Sequence, residues 1–208
     1  MKRKRLGIVV FEEIEVLDFC GPFEVFSVTR LDENRRREEP SPFEIFLVSQ
    51  FRRPVTTTGG MKVVPDFTFD DCPALEILVI PGGWGTRQEM YNEAMLSFVR
   101  SRAPQVEILA SVCTGALILG NAGLLDGLRA TTHWRSLPMM QELFPKVTVD
   151  TTSHVVEAGK IVTSAGISAG IDMALRVVAG YFGEKIARST ACHMEYPFPE
   201  NNERRVSL

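Results

Sequence analysis

The sequence predicts an α/β protein with a single doubly wound, mostly parallel sheet and helices on both faces. Three observations carry this reading. Short continuous apolar runs resemble strands buried on both faces, and they alternate with helix-forming stretches. The stretch Val106–Leu124, VEILASVCTGALILGNAGL, reads as a buried strand turning abruptly into a helix, with Cys113 at the corner. The 208 residues, 45% hydrophobic and 24% charged, can bury a sizeable core, which excludes a disordered chain or a disulfide scaffold. No repeat, low-complexity tract or linker divides them. One domain is therefore expected over residues 1–208, with a basic tail at 1–4, a charged loop at 32–42 and a C-terminal tail at 197–208.

Leu6–Phe11 is the first buried strand. The following EEIEVLDFCGPFEVFSVTR is expected to turn and enter a helix at Gly21–Pro22, because proline suits a first helical position. Asp18 then falls in the turn after the strand, where on local grounds it reads first as a capping or turn residue. Asp32–Pro42, with mixed charges and two prolines, is a solvated loop. Phe43–Ser49 is a strand, Val55–Val64 a hairpin around Gly59–Gly60, and Glu76–Ile80 another buried strand. Pro81-Gly82-Gly83-Trp84-Gly85 follows, then a helix to about Arg102. That glycine-rich turn would bring bare backbone N–H groups to the strand's carboxyl edge, a candidate anion or oxyanion site. It lacks the Lys-Ser/Thr ending of a phosphate-binding P-loop.

Beyond the Cys113 corner, Asp126–Gly127 marks a turn, and residues 130–144 give a short strand and a helix ending near Pro145. Val147–Val149, His154–Glu157 and Lys160–Ser164 are strands, and Ala165–Gly183 and Glu184–His193 are helices. The net charge of −3 gives no electrostatic case for nucleic acid. The basic start MKRKR precedes an apolar run of only LGIVVF, closed by Glu12 and Glu13. This is below the roughly 7–15 residues of a signal core. No run approaches the ~18 apolar residues of a membrane span. Cys20, Cys72, Cys113 and Cys192 lie far apart, which predicts reduced thiols in a cytoplasmic protein.

A catalytic residue at a strand-to-helix elbow is strained, and the positions two before and two after it must be small. Here they are Ser111 and Gly115. At a helix N-terminus the Cys113 thiol is expected to ionise below the free value of about 8.5; the alternative is an inert core cysteine. Asp18, Gly82–Gly83 and Cys113 all follow strands, so a parallel sheet gathers them on one rim. His133 reads as a structural histidine under Trp134, with an approach to the site as the second reading. His154 and His193 have no spacing that suggests a metal site.

The runs LDFCGPFEVF, VIPGGWG, ASVCTGALILGNAGLLDGLRATTHW and TSAGISAGIDMAL, with MEYPFP near the end, resemble the ThiJ/PfpI superfamily of class I glutamine-amidotransferase-like proteins over nearly the whole chain. Within it the LD-x-x-GP turn, VCTG elbow, ATTHW and AGIDxAL helix are most similar to the isonitrile hydratases. The resemblance implies Cys113 as nucleophile, Asp18 as the carboxylate beside it, Thr114 as a supporting residue, and a homodimer. Peptidase-like members carry histidine directly after the cysteine; Thr114 stands there, so proteolysis is not expected.

The chemistry implied is addition of water to an isonitrile, giving an N-substituted formamide. Cys113 thiolate would attack the terminal carbon, Asp18 would protonate that carbon, and water would release the thioimidate, with no metal and no cofactor. Gly82, Gly83 and Thr114 would orient water or substrate, and Trp84 and Ile167 point to an apolar pocket for a small molecule. Two other readings are a stress-response thiol protein acting on glyoxal-type carbonyls or oxidants, and a ligand-binding domain like that of AraC-type regulators without its DNA-binding part.

Overall fold

The computed structural model describes residues 2–206; of the two expected tails, Met1, Ser207 and Leu208 lie outside them. The central sheet has seven strands in the order β10-β11-β7-β6-β1-β2-β5, all parallel except the β10–β11 pair. In chain order these are β1 (Lys4–Val9), β2 (Phe43–Ser49), β5 (Phe67–Thr68), β6 (Ile77–Ile80), β7 (Ile108–Ser111), β10 (Val155–Ala158) and β11 (Ile161–Ser164). Two small pairs complete the strands. β3 (Val55–Thr56) and β4 (Lys62–Val63) form the expected hairpin, and β8 (Arg129–Ala130) pairs in parallel with β9 (Thr148–Val149). Every residue from Leu6 to Val9 and from Ile77 to Ile80 is buried, which is why these strands read as unbroken apolar runs.

The helices are α1 (Val16–Val28), α2 (Thr86–Glu89), α3 (Glu93–Arg102), α4 (Gly115–Asn121), α5 (Leu137–Leu143), α6 (Ala169–Phe182) and α7 (Glu184–His193). α1, α6 and α7 pack on one another, while α2 and α3 pack on α4. The contact of α1 with α6 depends on small groups: a Cβ at Gly21 would lie 3.0 Å from Ile171, and one at Gly170 would lie 3.0 Å from Val112 and 3.3 Å from Pro22.

Three sequence expectations are corrected. α1 begins at Val16, not Gly21, because the Glu15 carboxylate caps the Val16 N–H; Pro22 therefore sits inside the helix, and Asp18 lies in its first turn. The expected helix from the glycine turn to Arg102 is two, interrupted where the Asn92 side chain caps α3. The helix expected from Ala165 starts at Ala169, because the preceding residues form a site loop with Ile167 at φ 53°. Near the two ends of the described residues, Arg3 donates to Ser41 O, Lys4 pairs with Glu107, and Asn202 and Glu203 pair with the segment entering β10.

The charged loop contains a short 3-10 turn, Glu33–Arg35, and its charges pair internally, Arg35 with Glu38 and Arg36 with Glu33. Glu33 also faces Ser189 and His193 of α7. No helix among the described residues is long and apolar enough to cross a membrane.

Candidate active site

Four chain segments leave the carboxyl ends of β1, β6, β7 and β11 and meet on one rim. β1 delivers Asp18 through the first turn of α1, β6 delivers Pro81–Gly85, β7 delivers Cys113, and β11 delivers Ile167. Cys113 has φ 56°, the strained elbow that the sequence implied. Its backbone is held from two sides. The Cys113 N–H donates to Ala165 O at 3.0 Å, and the Thr132 hydroxyl donates to Cys113 O at 2.7 Å. The requirement for a small residue at Gly115 is severe, since a Cβ there would lie 2.0 Å from Ile80 O.

Asp18 is fully buried. Its Oδ2 accepts the Gly82 N–H at 2.9 Å, while Oδ1 is buried with no hydrogen-bond partner. The Thr114 hydroxyl accepts the Gly83 N–H at 3.1 Å and lies 3.0 Å from the Thr86 hydroxyl. Gly82 is a cradle for both side chains: a Cβ there would sit 2.5 Å from Thr114 Oγ1 and 2.9 Å from Asp18 Oδ2. The glycine N–H groups, expected to be free for an anion, are therefore occupied in fixing Asp18 and Thr114. The backbone N–H groups that face the Cys113 sulfur come instead from Thr114 and Ile167.

The electrostatics also correct an expectation. Burial first, then the Glu15 charge, push the Asp18 carboxyl up to about 8, against the Gly82 N–H that lowers it. Burial first, then the neighbouring Asp18, push the Cys113 thiol up as well. A helix N-terminus was expected to ionise this thiol, but α4 has only seven residues and the sulfur lies out of water beside a carboxyl. Near neutral pH the two groups titrate as a coupled pair that keeps its protons.

The cavity over Cys113 measures about 200 Å³ and is lined by Thr114, Gly83, Trp84, Ile167, His133, Glu15 and two arginines, Arg87 and Arg135. The pocket was expected to be apolar; the arginines make it polar on one side. His133 lines it and also caps the turn Trp134–Ser136, with Nδ1 accepting the Arg135 N–H at 3.3 Å. Burial, Arg135, Arg204 and Arg87 lower its pKa, so the ring is neutral. Arg204 was not singled out in the sequence. It reaches from the C-terminal segment to donate to Thr131 Oγ1 at 2.7 Å and Thr132 O at 3.1 Å, bracing the loop that holds the Cys113 carbonyl. Among the described residues no three His, Cys, Asp or Glu side chains converge on a metal-sized site.

A cysteine at a strained strand-to-helix corner, paired with a buried carboxyl on the carboxyl rim of a parallel sheet, defines a thiol-based α/β site. The chain belongs to the DJ-1/PfpI family, whose pattern matches residues 4–180. It is 36% identical to isonitrile hydratase of Pseudomonas putida over 193 residues, 92% of this chain and 78% of that protein. It is 33% identical to the HTH-type transcriptional regulator GbdR of Pseudomonas aeruginosa over 75% of this chain, but spans only 42% of the regulator. Among solved structures, a ThiJ/PfpI family protein from Pseudomonas syringae superposes with a TM-score of 0.82 at 31% identity, covering 97% of this chain and 79% of that one.

Proposed function

We propose that this chain is an isonitrile hydratase-type enzyme in which Asp18 and Cys113 add an S–H bond across the terminal carbon of an isonitrile. The observation that carries the reading is the buried, partnerless Asp18 Oδ1 in a carboxyl that retains its proton next to a retained thiol. An isonitrile carbon must accept both a nucleophile and a proton, and this pair holds both. The similarity to the P. putida enzyme supports the same chemistry.

In the first step Asp18 gives its proton to the terminal carbon as sulfur bonds to that carbon, and the thiol proton passes to the Asp18 carboxylate. The product is a thioimidate, R–N=CH–S–Cys113, with Asp18 again protonated. Water then adds to the carbon while the nitrogen gains a proton through Asp18. The C–S bond breaks, sulfur recovers the hydroxyl proton, and the N-substituted formamide leaves. The Thr114 and Ile167 N–H groups stabilise negative charge building on sulfur. No amine departs, so no histidine is needed beside Cys113. An oxidant-sensing role would instead draw on a thiolate, which this environment disfavours.

The test is formamide production from a panel of alkyl and aryl isonitriles by the purified protein, with Cys113→Ala and Asp18→Ala alongside. Turnover by the wild type and loss in both variants is expected. Normal turnover in Cys113→Ser would overturn the reading.

A further inference from the structure

We infer that the site takes isonitriles carrying a carboxylate or similar anionic group, held between Arg87 and Arg135. This rests on the proposed hydratase reading and adds the substrate's charge. Both arginines line the Cys113 cavity, one from α2 and the other from the turn after His133. Each guanidinium stacks on an adjacent tryptophan, Arg87 over Trp84 and Arg135 over Trp134, both at 4.8 Å. Stacking fixes the two cations over the cavity mouth and lowers the entropy lost on binding an anion.

Neither arginine forms a salt bridge among the described residues, whereas Arg35, Arg36, Arg52, Arg129 and Arg188 all do. Arg87 spends one N–H on Gly83 O at 3.1 Å, and the Arg135 side chain makes no hydrogen bond to the described residues. The remaining N–H groups form planar forks suited to a carboxylate. Glu15 is the sole acidic side chain lining this cavity, and it is engaged in capping α1. With the Glu15 charge set against the two arginines and His133 neutral, the lining keeps one net positive charge, and neither guanidinium is ion-paired. Trp84, which lines the cavity, is 64% exposed and leaves an apolar ring face there. A flat apolar spacer between the isonitrile and the anion would cover it.

The experiment compares 4-isocyanobenzoate with its methyl ester as substrates at low salt. The acid is expected to show a kcat/KM about tenfold higher, and both Arg87→Gln and Arg135→Gln should bring the acid-to-ester ratio toward one. Equal turnover of acid and ester by the wild type, or a ratio that neither variant changes, overturns the inference. A second readout keeps it separate from the hydratase reading. Cys113 alkylation by iodoacetate relative to iodoacetamide, referenced to free cysteine, should be enhanced in the wild type and lose that enhancement in both variants. If no isonitrile reacts but this enhancement is present, the hydratase reading fails and the anion site stands. A ratio equal to that of free cysteine removes the anion site whatever the turnover.

Discussion

Two cavities of similar volume lie at different ends of the sheet, and they differ in how their polar groups are satisfied. The one near the amino-terminal ends of β7 and β11, about 220 Å³, is lined by Glu107, Glu157, Arg176 and Tyr181 among apolar side chains. Its charges are paired. Glu107 accepts from Lys4 Nζ at 2.8 Å and from the Tyr181 hydroxyl at 2.7 Å, and Arg176 lies 3.4 Å from Glu157. The Cys113 cavity, about 200 Å³, instead holds two arginines without salt bridges and opens above a buried carboxyl with a partnerless oxygen. Two of the non-glycine residues that line it, Cys113 and Ile167, have positive φ. Volume does not separate the two; unspent hydrogen-bonding capacity and stored strain do.

The sharpest contrast comes from a methyl group added in each place. Gly82→Ala should cut formamide formation by about 100-fold or more, because its Cβ would displace both Asp18 and Thr114. Gly180→Ala, at the other cavity, has nothing within 4 Å of its Cβ and lies inside α6. It should leave activity alone and raise the unfolding free energy by up to about 1 kcal/mol. Equal activity of the two variants in the same assay would erase the distinction.

The pH dependence tests the Asp18–Cys113 pair itself. Catalysis that needs the Asp18 proton should fall about tenfold per unit once pH exceeds about 8. A rate that climbs through that pH would show that the thiolate form attacks. Stability follows the same group. Asp18 is raised above its ordinary value of 3.8, so its protonated form favours folding. That contribution is complete below about 4 and drains away as pH rises through about 8. Thermal unfolding of Asp18→Asn should lose less stability over this interval than the wild type.

Smaller effects distinguish support from chemistry. Arg204→Gln removes the donors to Thr131 and Thr132 and should lower kcat by roughly fivefold through the Thr132–Cys113 link. Tyr181→Phe at the other cavity should cost about 1 kcal/mol or less in denaturant unfolding, with turnover unchanged.

Much of this was legible in the chain. Phe43–Ser49 and Glu184–His193 were read with the bounds observed, and the small residues around Cys113 announced its strained corner. What escaped reading depends on tertiary placement. Pro22 suggested a helix start, but the Glu15 cap lies six residues earlier than Gly21 and uses a residue type that rarely signals one. β5 has two residues and exists because β2 offers an edge to pair with. Gly82 and Gly83 read correctly as a special turn, yet whether their N–H groups are free depends on Asp18 and Thr114 arriving from other strands. Arg87 and Arg135 are 48 positions apart, and nothing local indicates that they flank one cavity. The rise in the Cys113 pKa likewise needed the burial and the carboxyl, which outweigh a short helix.

The central claim is that Cys113 becomes covalently attached to the isonitrile carbon during turnover. Intact-protein and peptide mass spectrometry after acid quench of a working reaction tests it most directly. The expected result is one isonitrile mass added per chain, located on the peptide containing Cys113 and accumulating when water addition is slow. Formamide production with no adduct at any time point, and with turnover retained in Cys113→Ala, would contradict it.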